Sequence, residues 1–159
     1  MTILRGLITC FCLSLSLLAQ ATEVPDAKRI DQNPWFDSGN YRVHFSTFTS
    51  DFLQPNTAAG LQLTRAKDQL LINIAITEKT ADGSYGMGQK ATVTGTATNL
   101  MQQMKSLTFI EVKEPSATYY LAPLRFTNEE TIHFNINVVS GKGETLNLTF
   151  TRTLYVNNQ

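Results

Sequence analysis

From Tyr41 onward, apolar side chains recur at every second residue, and this period of two restricts the chain to β-structure. Gln69 to Glu78 places Leu70, Ile72, Ile74 and Ile76 on one face and Leu71, Asn73, Ala75 and Thr77 on the other. Thr131 to Val139 alternates Ile132, Phe134, Ile136 and Val138 with His133, Asn135 and Asn137. Tyr41–Ser46, Lys90–Thr98 and Thr145–Val156 follow the same rule, and Lys90–Thr98 carries a threonine row suited to a solvent-facing pleat. Leu107–Val112 and Thr118–Phe126 are short apolar segments. Pro123 within the second removes a ladder donor and predicts an edge or a bulge there. Helical periodicity is confined to Thr57–Ala66 and Asn99–Lys105, a turn or two each.

Seven strands at intervals of roughly 8–12 residues predict an all-β fold, an immunoglobulin-like antiparallel β-sandwich, with a closed antiparallel β-barrel as the alternative. Asp82-Gly83 marks a hairpin turn, and Ser140-Gly141-Lys142-Gly143 another. The single β domain is expected over residues 41–159. Residues 22–40, with Pro25, Pro34 and Gly39 and no periodicity, read as a flexible lead-in that Trp35-Phe36 could pin.

Residues 1–21 have the three zones of a secretory signal: Arg5, the apolar run Leu7–Leu18, and Ala19-Gln20-Ala21 before a cut. The run is shorter than the ~20 residues a bilayer core requires. Cleavage after Ala21 and release into the periplasm of a Gram-negative bacterium, with no stable membrane anchor, are therefore expected. Cys10 and Cys12 are the only cysteines, so the exported part would hold no disulfide, thiolate nucleophile or Cys-ligated metal. Of 13 basic residues one is Arg5, against 13 acidic. The near-neutral remainder has no basic stripe, which excludes nucleic acid as a partner because phosphate neutralisation supplies most of that affinity.

No catalytic or metal centre emerges. His44 and His133 are the only histidines and lie apart in sequence, where a zinc site wants three or four ligands with a closely spaced pair. Asp82-Gly83-Ser84-Tyr85-Gly86 lacks the first glycine and the strand–helix context of a nucleophile elbow. Asn128-Glu129-Glu130 reads as an acidic turn rather than an acid–base pair. No cofactor is expected, and the chain is read as not being an enzyme. Two segments remain as candidates for binding: the connection from Phe52 to Lys67, and Tyr119-Tyr120, whose rings point to opposite faces.

Phe52-Leu53-Gln54-Pro55, Leu63-Thr64-Arg65-Ala66-Lys67, Leu71-Ile72-Asn73, Tyr119-Tyr120-Leu121-Ala122 and Phe126-Thr127-Asn128-Glu129-Glu130-Thr131 resemble, in order and spacing, the landmarks of a bacterial family of exported proteins, domain of unknown function 4426. The resemblance covers about residues 38–156. It departs at Leu61-Gln62, where the family pattern has Tyr-Gly before the Leu-Thr-Arg segment. It implies a periplasmic setting and one β domain, and no activity. Arg65, Asn73, Asn128 and Glu129 match its polar landmarks, and with Tyr119 they form the predicted partner-binding set. The function expected is a periplasmic binding or accessory module for a protein or envelope partner. A small hydrophobic-ligand carrier stands second, and a hydrolase third.

Overall fold

The computed structural model describes residues 33–156. The predicted export signal, with Cys10 and Cys12, lies outside the described residues. Nine strands form there: β1 (Trp35–Ser38), β2 (Tyr41–Thr49), β3 (Gln69–Glu78), β4 (Ala91–Asn99), β5 (Met104–Leu107), β6 (Ile110–Lys113), β7 (Thr118–Arg125), β8 (Glu130–Ser140) and β9 (Thr145–Leu154). One short helix, α1 (Pro55–Gly60), follows a 3-10 turn at Ser50–Phe52. No described helix is long and apolar enough to cross a membrane.

The strands build two antiparallel sheets, ordered β1-β2-β3-β7-β6 and β5-β4-β8-β9, and neither closes into a barrel. The sandwich forms. β2, β3, β7 and β6 take the places of immunoglobulin strands A, B, E and D, while β4, β8 and β9 take those of C, F and G, with β5 added beside C. The even-numbered residues of β3 and β8 meet between the sheets: Ile72, Ile74, Ile136 and Val138 are fully buried, as the alternation requires. Phe45, Phe150 and Phe134 stack in series across that core, with ring centroids 4.8 and 4.7 Å apart. Tyr120 joins the sheets by hydrogen bonds: its hydroxyl accepts from Ala91 N at 2.7 Å and donates to Ala91 O at 2.8 Å.

Three sequence expectations change. The lead-in does not extend to residue 40, because Trp35–Ser38 pairs with β2 from Trp35↔His44 to Ser38↔Tyr41. Arg42 anchors this strand: it forms an ion pair with Asp37 at 2.6 Å and lies over the rings of Trp35 and Tyr85 at 5.0 and 4.1 Å. The segment Leu107–Val112 is two strands in different sheets, because the chain crosses the sandwich at Thr108-Phe109. Asn99–Lys105 is a β-hairpin rather than a helical turn. Pro123 sits where the proline rule places it. β6 pairs only with residues 118–121 of β7, so at Pro123 the strand has a neighbour on one side alone.

β3 is apolar at one end of its outer face as well. Leu71 and Leu121 are buried there with Leu63, and Phe48, Leu53, Leu61, Ile110, Val112 and Tyr119 pack around them. The 50–66 connection therefore lies across the outer face of the five-stranded sheet. Ser50 staples it down. Its fully buried hydroxyl donates to Thr64 O at 2.7 Å and accepts from Ala66 N at 2.8 Å.

Candidate functional site

The structure separates the predicted binding residues into two groups. Arg65 is exposed on the 50–66 connection, and its Nη2 donates to Asp51 O at 2.7 Å, which stiffens the loop. Asn73 and Tyr119 lie on the same outer face of the five-stranded sheet. Asn73 Nδ2 reaches Ser46 Oγ at 3.5 Å, and its buried Oδ1 has no partner among the described residues. The Tyr119 hydroxyl donates to Glu114 Oε1 at 3.1 Å. Burial pushes its phenol up, and the Glu114 carboxylate adds to this. Tyr120 is the core member of the pair and Tyr119 the outer one, as adjacent positions on a strand require.

Asn128 and Glu129 belong to the β7–β8 turn, which passes from one sheet to the other. Asn128 Oδ1 accepts the N–H of Val156 at 2.9 Å and ties down the end of the chain beyond β9. Glu129 is exposed, with φ of +60°, a left-handed conformation that this turn imposes. Neither converges with Asn73 or Tyr119 on one site.

The end of the sandwich that holds this turn contains a feature the sequence did not advertise. The ends of β4 and β7 and the starts of β3, β5 and β8 meet there around an open cleft of about 320 Å³. Its polar walls are Asp68, Asn99, Gln103, Lys105, Arg125 and Glu130. Arg125 forms an ion pair with Asp68, and Lys105 Nζ donates to Arg125 O at 3.4 Å. The Glu130 carboxylate accepts from Thr127 N at 2.7 Å and from Asn99 Nδ2 at 3.3 Å. Burial alone would raise its pKa. The bonds from Thr127 and Asn99, with the nearby Lys105 charge, outweigh that and hold it below the usual carboxylate range.

Asn99 also builds the rim. Its Oδ1 accepts from Met101 N at 3.1 Å and Gln103 N at 3.0 Å, and its Nδ2 donates to Gln103 Oε1 at 2.8 Å. With Gln102 at φ +62°, these bonds tie the β4–β5 hairpin into one tight turn. The turn holds Leu100, Met101 and Met104 in solvent, exposed by 66, 74 and 68 %. Three large apolar side chains thus stand exposed on or beside one braced tip, next to a charged cleft. The available sequence signal was Leu100-Met101-Gln102-Gln103-Met104 itself, which helical periodicity could equally have buried.

Other candidates resolve into structure. The Ser84 hydroxyl lies 2.8 Å from Asp82 Oδ1 and 2.7 Å from Thr80 Oγ1, inside a turn. Bonds from Thr80, then from the Ser84 hydroxyl and N–H, pull the Asp82 carboxyl down to about 2. His44 faces Thr77 Oγ1 at 3.4 Å and His133 faces Thr151 Oγ1 at 2.7 Å. Among the described residues, no three of His, Cys, Asp and Glu gather as a metal site.

The chain belongs to the family described as Domain of unknown function (DUF4426), whose model matches residues 36–157. It is similar to the solved structure of a DUF4426 family protein from Pseudomonas aeruginosa PAO1, at 32% identity and TM-score 0.69, covering 78% of this chain and 95% of that chain. FetP of uropathogenic Escherichia coli strain F11, recombinantly expressed in the periplasm of E. coli, matches at 12% identity and TM-score 0.54, with 78% of this chain and 94% of that chain covered. A copper-bound variant of FetP matches at 11% identity and TM-score 0.56, over 79% and 91% of the two chains. At such identities the likeness is one of fold. No curated protein matches.

Proposed function

We propose that this domain is a non-enzymatic binding module of the Gram-negative periplasm, which meets a protein partner through the β4–β5 hairpin tip and the charged cleft behind it. The observation that carries the reading is the exposure of Leu100, Met101 and Met104 on a turn braced by Asn99. Flexible apolar tips can bury themselves, but a braced one keeps its apolar area in water until a partner covers it. Covering that area returns about 25 cal/mol per Å². Methionine side chains adapt to irregular partner surfaces, which suits this role. The surroundings supply orientation: Lys105, Arg125, Asp68 and Glu130 place both signs of charge at the rim.

This relocates the docking region. The 52–67 connection turns Leu63, Leu61 and Leu53 onto the outer face of the sheet, so it acts mainly as a cover, although Phe52 at its start stands in solvent, 77% exposed. The periplasmic setting is supported by the signal-like residues 1–21. The copper of the FetP variant is not part of the reading.

The test is in-cell photo-crosslinking from position 102, exposed on the same tip, with affinity capture from the periplasm. Capture is compared for the wild type and for a Leu100→Ser, Met101→Ser, Met104→Ser variant. One cross-linked protein should be recovered and be lost in the triple variant, while the urea midpoint is unchanged. Recovery of the same protein by the triple variant would sink the idea, as would cross-linking from the 52–67 connection in place of the tip.

A further inference from the structure

Four strands have a free side in the described fold: β1, β6, β5 and β9. A free strand side is a row of unpaired N–H and C=O groups that can accept another strand, and proteins guard such rows by shortness, charge or proline. Three of the four are guarded in this way. β1 has four residues, with Asp37 turned to Arg42. β6 has four residues, carries Glu111 and Lys113 and is followed by Pro115. β5 has four residues and carries Lys105.

β9 lacks most of these guards. It runs for ten residues and pairs with β8 without a break or a bulge, from Glu130↔Leu154 to Val139↔Thr145. It contains no proline, glycine, lysine or carboxylate. Its length is about 34 Å, and about ten of its backbone groups point away from β8. Its solvent row is Thr145, Asn147, Thr149, Thr151 and Thr153, and its core row is Leu146, Leu148, Phe150, Arg152 and Leu154. The one charge, Arg152, is drawn back onto its own strand, over the Phe150 ring at 5.4 Å and donating to Thr151 O at 3.1 Å.

We propose that β9 pairs antiparallel with β9 of a second copy of this chain, joining two four-stranded sheets into one of eight strands. The strand complements itself: turned about a two-fold axis near Thr149 and Phe150, its threonine row continues a threonine row and its apolar row an apolar row. In those registers Arg152 stands opposite a leucine of the second copy, not opposite another arginine. The whole chain carries a formal net charge of +0, so no long-range repulsion opposes the approach of two copies. The pairing leaves both β4–β5 hairpin tips free at the far edges, because β9 and β5 are opposite margins of the same sheet.

Light scattering after gel filtration, at tens of micromolar protein, tests this. The wild type should show twice the monomer mass. Thr149→Lys with Thr151→Lys should show the single mass, since inserted lysines block edge pairing. Thr94→Lys puts the same charge on the same face of the interior strand β4 and should remain dimeric. Amide exchange on the wild type keeps the test open if the double variant misfolds: alternate residues of β9 should slow as protein concentration rises. A monomer at all concentrations overturns the proposal. A dimer that survives the double substitution, or β9 protection supplied by a different protein, also overturns it.

Discussion

Replacing Tyr120 by Phe removes one oxygen and should cost more than most surface substitutions. That hydroxyl satisfies two backbone groups of Ala91, 29 residues away and in the other sheet, at 2.7 and 2.8 Å. It also lies 3.3 Å from Glu111 Oε1. Burial pushes the phenol up; the Ala91 bond opposes that, and the Glu111 carboxylate adds to it. Phenylalanine fills the same space, so no cavity opens, and the loss is that of a donor and an acceptor left without partners at the start of β4. Each such loss costs about 1 kcal/mol net, rising where water cannot reach the orphaned group. Because Ala91 is half-buried, the expected loss is about 2 kcal/mol, or roughly 6–10 °C in Tm for a domain of this size. Urea unfolding followed by tryptophan fluorescence and circular dichroism measures it, with an unchanged m-value as the check that only stability moved. Tyr119→Phe is the internal control. Its hydroxyl meets only Glu114 at the surface, and its loss should stay within about 0.5 kcal/mol. If both variants lose the same amount, or Tyr120→Phe loses less than about 0.5 kcal/mol, the inter-sheet bond is not what holds β4 in place.

Gly95→Ala should destabilise by about 1–3 kcal/mol in the same assay, because its Cβ would stand 2.7 Å from Ile136 Cδ1 and 2.9 Å from Asn135 O in the packed sheet. Glu129→Gly should have the opposite sign, a gain of about 0.5–1 kcal/mol, since glycine adopts φ +60° without the Cβ penalty. Glu130 sets a pH dependence: its carboxyl titrates below the usual range when folded, so its stabilisation is complete above the unfolded pKa of about 4.3 and lost as pH falls through the lower folded value. Glu130→Gln should flatten that acid limb of the stability curve, and an unchanged limb would assign it to other carboxylates.

Much of the sandwich was legible from a single periodicity. Alternation in β3 and β8 is a local property, since consecutive side chains on a strand face opposite ways whatever the strand pairs with. It therefore identifies Ile72, Ile74, Ile136 and Val138 as core before any partner is known. Pro123 and the Tyr119-Tyr120 pair were readable for the same reason. The candidate site was less so. Arg65, Asn73, Asn128 and Glu129 were selected as polar landmarks, yet Arg65 and Asn128 brace a loop and the segment after β9, Asn73 lies on a sheet face, Glu129 is exposed on a turn, and they do not converge.

What the sequence determined by itself is the all-β class and the inward faces of the longer strands, because these rest on local periodicity; β1 and the break between β5 and β6 carry no such signal. Tertiary structure alone decided sheet membership: Leu107 and Ile110, three residues apart, belong to opposite sheets because the chain crosses the sandwich between them. It also decided exposure. Leu71 stands on an outer face and is covered, whereas Leu100 and Met101 are as apolar and stand in water. No periodicity distinguishes them. Burial depends on which distant segment folds over a side chain, and a hairpin tip has none.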